Sequence, residues 1–415
     1  MHQVRSTAAA RLRRRLLARL LTAGSAALGF VPVSAAVAAG STPPTSALSV
    51  TQSTLTAVSC PSATSCVAVG YYTTSTGTQE TFANAWDGAK WTLEQTPDPA
   101  SGFASQLTSV SCSQTNNCTA VGYSCTTSNE PSCRSTGGTQ QLLVEHWNGT
   151  AWAIEPTTPP AGAISPVLSG VSCPTATFCT AVGSYELPAS GKVVDQYTLA
   201  YRWNGSTWTR ESTPNRPSDR TVSYFSAVSC ASVTFCLAVG DSARLTLAEF
   251  WNGSKWLLNK TPNPSAGSDK TLSAVSCNSS TSCMAVGTSA YFYDGGVDTY
   301  QVSDHWNGKT WAATSLAYDT DYRIMGGVSC TSAKNCVEVG TDEQGAPFGF
   351  AEGWNGTTWD GSLGQPSPFP AFNGVSCAQA SSCMVVGNEI ANGQTGAGAQ
   401  LWNGKTWLLE NPVDP

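Results

Sequence analysis

Short apolar runs separated by polar, glycine-rich turns fill the chain, and one pattern of them recurs seven times: an apolar residue, two small or polar ones, Val-Ser-Cys, five residues, Cys, two residues, Val-Gly. Each copy is followed by a stretch of variable length and then by Trp-Asn-Gly-x-x-Trp, with Asp in place of Asn in the first copy. The first cysteines of successive copies stand 47 to 61 residues apart, so the repeat occupies the chain from Leu55 to Pro412. Self-similarity at this period marks an architecture in which each unit is one supersecondary block. The runs predict four short strands per unit: A ends at the first Cys, B runs from the second Cys to Val-Gly, C ends at the first Trp and D begins at the second.

The spacing of the two constant turns predicts their geometry. Asn-Gly between apolar runs favours a two-residue type I′ hairpin, in which both central residues have positive φ. Taking Asn148-Gly149 as that turn pairs Trp147 with Thr150 and Glu145 with Trp152, and leaves the two indoles as diagonal neighbours on one face. Pairing A with B around the five-residue connection sets the two cysteines directly opposite, with Cα atoms about 4.5 Å apart and within disulfide reach. The expected bridges are Cys60–Cys66, Cys112–Cys118, Cys173–Cys179, Cys230–Cys236, Cys277–Cys283, Cys330–Cys336 and Cys377–Cys383, each contributing about 2 kcal/mol in the chain-entropy model. Cys125 and Cys133 fall in the longest variable stretch and are expected to bridge there. Zinc is the rival use of so much cysteine, but C-x5-C is not a usual ligand spacing, and His146 and His305 are the only histidines beyond the leader.

Four-stranded units of this length repeated seven times predict an all-β protein: a seven-bladed β-propeller of four-stranded antiparallel blades with one disulfide inside each. Side-chain size agrees. Blades diverge outward from an axis, so inner strands need small residues and outer strands large ones; A and B supply Ala, Ser, Gly, Val and Cys, and all 14 tryptophans belong to C and D. Every unit starts with A and ends with D, so no strand exchange closes the ring unless residues 45–52 supply one. Residues 39–54 are therefore an N-terminal segment with a possible closure strand, and 55–415 the propeller.

Composition changes the picture at the N-terminus. Residues 1–38 combine six arginines, an apolar run from Leu20 to about Val33, and small residues up to Ala38, which reads as a cleaved signal peptide and predicts a secreted protein. The run is too short and too broken by Gly and Pro to span a membrane, and no later segment qualifies. Beyond the leader, 15 basic residues face 27 acidic ones, a balance that argues against nucleic acid and anionic lipid as partners. A monomer is expected.

The A–B hairpin, Val-Gly at the end of B and a Trp-bearing fourth strand followed by Pro resemble the kelch and galactose-oxidase-central type of propeller repeat across all seven units. The Trp-[Asn/Asp]-Gly-x-x-Trp turn also resembles a degenerate Asp-box of sialidase-like propellers, without that motif's Ser/Thr and its spacer before Gly. The cysteine pairs are similar to those of exported repeat proteins of actinobacteria. These resemblances imply the propeller fold and no particular activity.

The short, constant A–B and C–D connections emerge at one end of an antiparallel blade and the B–C and D–A connections at the other. Between Val-Gly and the next Trp lie 10 residues in the fourth unit and 24 in the second, the variation expected of a recognition face on a rigid scaffold. The candidate binding sector comprises Arg216, Arg220 and Tyr224 in the connection into the fourth blade. It continues with Tyr291 and Tyr293, which flank Phe292, in the fifth, and with Tyr318, Tyr322 and Arg323 leading into the sixth. Tyr and Arg are frequent binding anchors, and aromatic faces stack on sugars.

Asp294, Asp298, Asp319 and Asp321 share these connections without a full calcium-loop signature, so no metal is expected. No cofactor is expected either. His146 and His305 stand just before the first Trp, where other units have Ala85, Arg202, Phe250, Gly353 and Leu401. A position tolerating that variety is structural, which leaves no copper site and no Ser/His/Asp arrangement. The expectation is an exported, non-catalytic scaffold that binds a glycan or an extracellular protein. The alternative is a carbohydrate-active enzyme, sialidase-like or otherwise glycan-cleaving, which would need carboxylates with raised pKa converging in a pocket.

Overall fold

The computed structural model describes the chain from Val50 to Pro415 apart from residues 100–103, 127–138, 189–193, 215–221, 264–266, 268, 294–295, 316–322, 344–345, 362, 365, 367–368 and 392. Its 28 strands form seven sets of four, each an antiparallel sheet in the order A-B-C-D. Blade one has A at Val50–Ser62, B at Ser65–Thr74, C at Gln79–Trp86 and D at Trp91–Glu94. A single parallel bridge, Gln79 to Ala104, additionally links blades one and two.

The repeat motif becomes one transverse row. In blade four Cys230 pairs with Cys236, Cys236 with Trp251 and Trp251 with Trp256, so Cys-Cys-Trp-Trp crosses all four strands on one face. All seven expected A–B bridges are formed, with Cα atoms 3.9–4.0 Å apart. Cys125 is also disulfide-bonded, while its expected partner Cys133 lies outside the described residues. The indoles of each pair have centroids 5.5–6.1 Å apart.

The C–D turn differs from the expected two-residue hairpin. Trp147 stands opposite Trp152 and not Thr150, so four residues form the loop and the indoles are direct cross-strand partners. Only the glycine is left-handed, with φ from 88° to 100° over the seven copies. Asn148 Oδ1 instead accepts the backbone N–H groups of Thr150 and Ala151. Asn acts here as a side-chain acceptor that folds the turn around itself, which is why Asp87 replaces it and accepts from Ala89 and Lys90.

Val-Gly has a different cause. Strand A bulges between Leu55 and Ala57, and a Cβ on the facing Gly70 would sit 1.8 Å from the Thr54 carbonyl oxygen. The equivalent distance in the other six blades is 1.9–2.2 Å, so any side chain there would displace strand A.

Blades pack face to face into inter-blade cores. Leu55, Phe82, Trp86 and Trp91 of blade one meet Met384, Val386 and Ala399 of blade seven, and Phe225, Leu247 and Trp256 of blade four meet Val182 and Ala200 of blade three. The serine of Val-Ser-Cys forms a second seam, its Oγ accepting the backbone N–H of the next blade's first cysteine. Ser59, Ser111, Ser172, Ser229, Ser276 and Ser329 take Cys112, Cys173, Cys230, Cys277, Cys330 and Cys377, and Ser376 takes Cys60, each at 2.9 Å. The seventh bond closes the ring with the same contact as the other six.

The chain end reinforces that closure. Asn84 of blade one donates to the Val413 carbonyl and accepts the Val413 N–H, and Asp414 accepts from Ser53 and from the Ala397 N–H. Asp98 makes the equivalent contacts with the Thr81 N–H and Ser105, so the C-terminal residues reproduce an ordinary D–A connection. Among the described residues no strand is exchanged at this seam. Val50–Gln52 lengthens strand A of blade one, and residues 45–49 lie outside the described residues.

Candidate binding face

Strands B and C of blade four, Phe235–Ser242 and Leu245–Trp251, are joined by Ala243 and Arg244 alone. Past the Val-Gly glycine strand B adds two paired residues there, against five in blade three (B, Phe178–Pro188) and six in blade five (B, Ser282–Tyr293). At about 3.3 Å per residue the flanking hairpins rise about 10 Å above blade four. A notch results, floored by blade four and walled by its neighbours.

The floor is strained. Ala243 and Arg244 both have positive φ, 53° and 68°, a geometry that type I′ turns leave to Gly and Asn and that disfavours other residues by about 1–2 kcal/mol each. Neighbouring bonds hold it: Asp241 Oδ1 accepts the Arg244 N–H, and the Arg244 carbonyl accepts the N–H of Lys270 from blade five. The guanidinium, on a side chain 74% exposed, lies 3.3 Å from Asp269 Oδ1. Strain of this kind, over-determined by its surroundings, collects at functional positions. Half-buried Tyr224 lies beside Thr271, Asp241 and Asp269; burial foremost raises its pKa, so the hydroxyl stays a donor.

Strand alternation decides what the walls present. Ala285 and Val302 of blade five pack on blade four, so Tyr291 and Tyr300, on the same face, look toward the notch; Tyr291 is 50% exposed. Val182 and Ala200 of blade three likewise set the direction for Glu186 and Gln196, the latter donating to Ser184. Tyr185 and Tyr197 stack on the other face of that hairpin, centroids 5.6 Å apart. Exposed apolar side chains favour this end of the propeller, among them Val194, Val222, Leu245, Ile324 and Phe348, whereas Val233 is the one in the A–B and C–D turns among the described residues, and Ile154, Leu258, Leu408 and Leu409 lie on the outer strands D.

Of the candidate residues, Tyr224 and Tyr291 are brought to one notch. Arg216, Arg220, Tyr318 and Tyr322 lie outside the described residues, as do Asp294, Asp319, Asp321 and the side chains of Phe292, Tyr293 and Asp298. Arg323 stands one seam further on and turns inward. It donates to Glu352 at 2.8 Å, lies 3.7 Å from Asp342 and covers the Phe350 ring at 4.7 Å. His146 contacts Asn117 and His305 contacts Ser282, and burial lowers both imidazole pKa values. Among the described residues no group of three or more His, Cys, Asp or Glu converges as a metal site.

A class of polar residues escaped sequence reasoning. Two residues before the first Trp stand Asn84, Glu145, Tyr201, Glu249, Asp304, Glu352 and Gln400, between blades. Asn84 brackets Val413, and the Tyr201 hydroxyl donates to the Thr158 carbonyl, both partners lying six residues past the preceding blade's second Trp. The corresponding residues for Glu145, Glu249 and Asp304 are Pro97, Pro214 and Pro262, which have no N–H to donate. Among the described residues the carboxyls of Glu249 and Asp304 have no hydrogen-bond partner, and burial pushes their pKa values up to about 9 and about 7.

Burial, with Asp98 adding to it, holds Glu145 well above the usual carboxylate range. Glu338 is raised in the same way, with Glu352 beside it and Gln301 donating to it. These acids are sealed in inter-blade cores and do not reach the notch. For Glu145, Glu249 and Asp304 the only signal in the sequence was a polar residue at a fixed offset from Trp.

Among the described residues no helix is long and apolar enough to cross a membrane. The sequence matches no protein-family model and no curated protein. Similar solved structures include YCF48 bound to D1 peptide, at 13% identity and TM-score 0.47, covering 88% of this chain and 95% of that one. A fungal lectin from Aleuria aurantia, a six-bladed β-propeller with a fucose recognition mode, is similar at 13% identity and TM-score 0.37, covering 88% and 96%. A polysaccharide lyase, an ulvan lyase with bound saccharide, follows at 9% identity and TM-score 0.46, covering 83% and 91%. Likeness at this level is no guide to ligand or activity.

Proposed function

We propose that the protein is an exported, non-catalytic scaffold that binds a glycan or an extracellular protein through its B–C/D–A face, at the notch over blade four. The observation that supports this reading is the notch itself. There a strained turn with an exposed Arg244 lies between raised hairpins and beside Tyr224, Asp241, Asp269 and Tyr291. An exposed phenol ring offers a stacking face, and the carboxylates and guanidinium offer acceptors and donors for hydroxyl groups, the mixture small polar ligands require. Burial of the perturbed acids in the cores supports a binding rather than a catalytic role. Export is supported by the arginine-rich leader and by a chain in which every described cysteine is bridged.

Glycan-array and extracellular-protein capture with the wild type, Tyr291→Ala and Arg244→Gly tests the reading. Each substitution is expected to weaken binding about tenfold, the effect of losing one anchor of about 1.4 kcal/mol. Unchanged binding in both variants would reject the notch. Release of reducing ends from a bound glycan would replace binding by catalysis.

A further inference from the structure

The opposite end of the propeller carries a feature that the notch does not use. Lys90, Lys255, Lys309, Lys334 and Lys405 sit in the A–B and C–D turns of blades one, four, five, six and seven, all exposed. Because Ser376 of blade seven bonds to Cys60 of blade one, these five blades are consecutive around the ring. Blades two and three have the uncharged Thr150-Ala151 and Ser206-Thr207 at the corresponding turns. Among the described residues none of the five ammonium groups is ion-paired. Among the described residues the acids in and beside these turns are Asp87, whose carboxylate accepts two backbone N–H groups and also feels the charge of Lys90, and Asp360, which accepts from Asn355. An acidic chain thus presents a cationic arc at one end and collects Glu186, Asp241, Asp269 and Glu389 at the other.

The chemistry of the arc selects its partner. One lysine per blade, spread along a curve, fits an extended polymer and not a single small anion. Ammonium groups are point charges without the planar fork of Arg, so they favour repeated charge over one directed contact. The indoles at this end are turned into the inter-blade cores, and Val233 is the one exposed large apolar side chain in the A–B and C–D turns among the described residues, Leu258 and Leu408 lying on the outer strands D. The arc therefore lacks both an apolar anchor for a bilayer and a stacking face for unpaired bases. Ser254, Thr310 and Thr406 adjoin three of the lysines and suit a hydroxylated chain.

We infer that the A–B/C–D end docks on an anionic polysaccharide, which leaves the acidic notch face pointing away from it. The inference is independent of the ligand at the notch.

Immobilised dextran sulfate is the probe, with neutral dextran, anionic phospholipid vesicles and duplex DNA as comparison surfaces. The wild type is expected to bind dextran sulfate and not neutral dextran, weakening on the order of 100-fold between about 50 mM and about 200 mM salt as counterions compete. Changing all five lysines to Gln is expected to abolish that binding without shifting Tm, whereas Lys260→Gln, at the exposed end of a strand D, leaves it intact. The inference is overturned if the five-lysine variant binds like the wild type, if the wild type fails to bind at low salt, or if vesicles or DNA are bound in preference.

Discussion

The two ends of this propeller are made from the same strands and obey different constraints. At the A–B/C–D end each turn must hold a Cys-Cys-Trp-Trp row in register, so its length is invariant and its variation is confined to exposed positions such as Lys255 and Lys309. At the other end the strands have passed the row and the Val-Gly bulge, nothing fixes where they stop, and hairpins differ by several residues between adjacent blades. Tryptophan populates the first end. Tyrosine, apart from the buried Tyr201, populates the second. Rigidity and recognition are thereby separated along the axis of the molecule.

Substitutions at the two ends should separate in the same way. The largest effect is expected from Trp251→Ala, which removes an indole from both its cross-strand pair and the core between blades three and four; unfolding should show a loss of about 3–5 kcal/mol. A loss below about 1 kcal/mol would mean that the row is not what the invariant turns protect.

Glu249 provides a pH test of the cores between the two ends. Its folded pKa of about 9 lies above the ordinary carboxylate value of 4.5, so the folded state retains a proton that the unfolded chain releases. Its contribution is whole below about pH 4.5, falls by up to about 1.4 kcal/mol per unit as pH rises and is exhausted near pH 9. Glu249→Gln should flatten that decline in Tm, and an unchanged pH profile would show that the carboxyl ionises freely in the fold.

Ser376→Ala at the closing seam and Ser229→Ala at an interior seam should each destabilise by about 1 kcal/mol, because each leaves a cysteine N–H without its acceptor. A much larger loss at Ser376 would show that the ring closes less firmly than it propagates. Arg244→Gly should stabilise by about 1 kcal/mol by relieving a left-handed non-glycine residue while weakening ligand binding. Tyr291→Ala should move stability by less than about 0.5 kcal/mol, the ordinary effect of an exposed substitution, and act on binding alone.

The features set by contacts close in sequence were legible in the chain itself. Cys230 and Cys236 are six apart and face one another in any hairpin that joins A to B, so the bridges and the blade could be derived. The C–D turn could not, because Asn-Gly suits two geometries: positive φ at both residues, or an Asn acceptor folding a longer loop. The indole–indole contact decides between them by placing Trp147 opposite Trp152. Arg323 resembled a surface anchor because its partners Phe350 and Glu352 arrive from strand C of the same blade, far along the chain. Glu249 and Asp304 went unnoticed because the prolines at the corresponding positions belong to the preceding blade.

Local spacing, then, determined by itself that the protein is seven disulfide-stapled, four-stranded units with small inner and large outer strands, since each of those properties depends on residues within one hairpin. Only the assembled ring decided that Ser376 closes on Cys60, that blade four lies in a notch, and that lysines scattered over 300 residues share one face. Those properties depend on equal positions of neighbouring blades being brought side by side. Residues about 50 apart then become nearest neighbours, a proximity no pattern along the chain records.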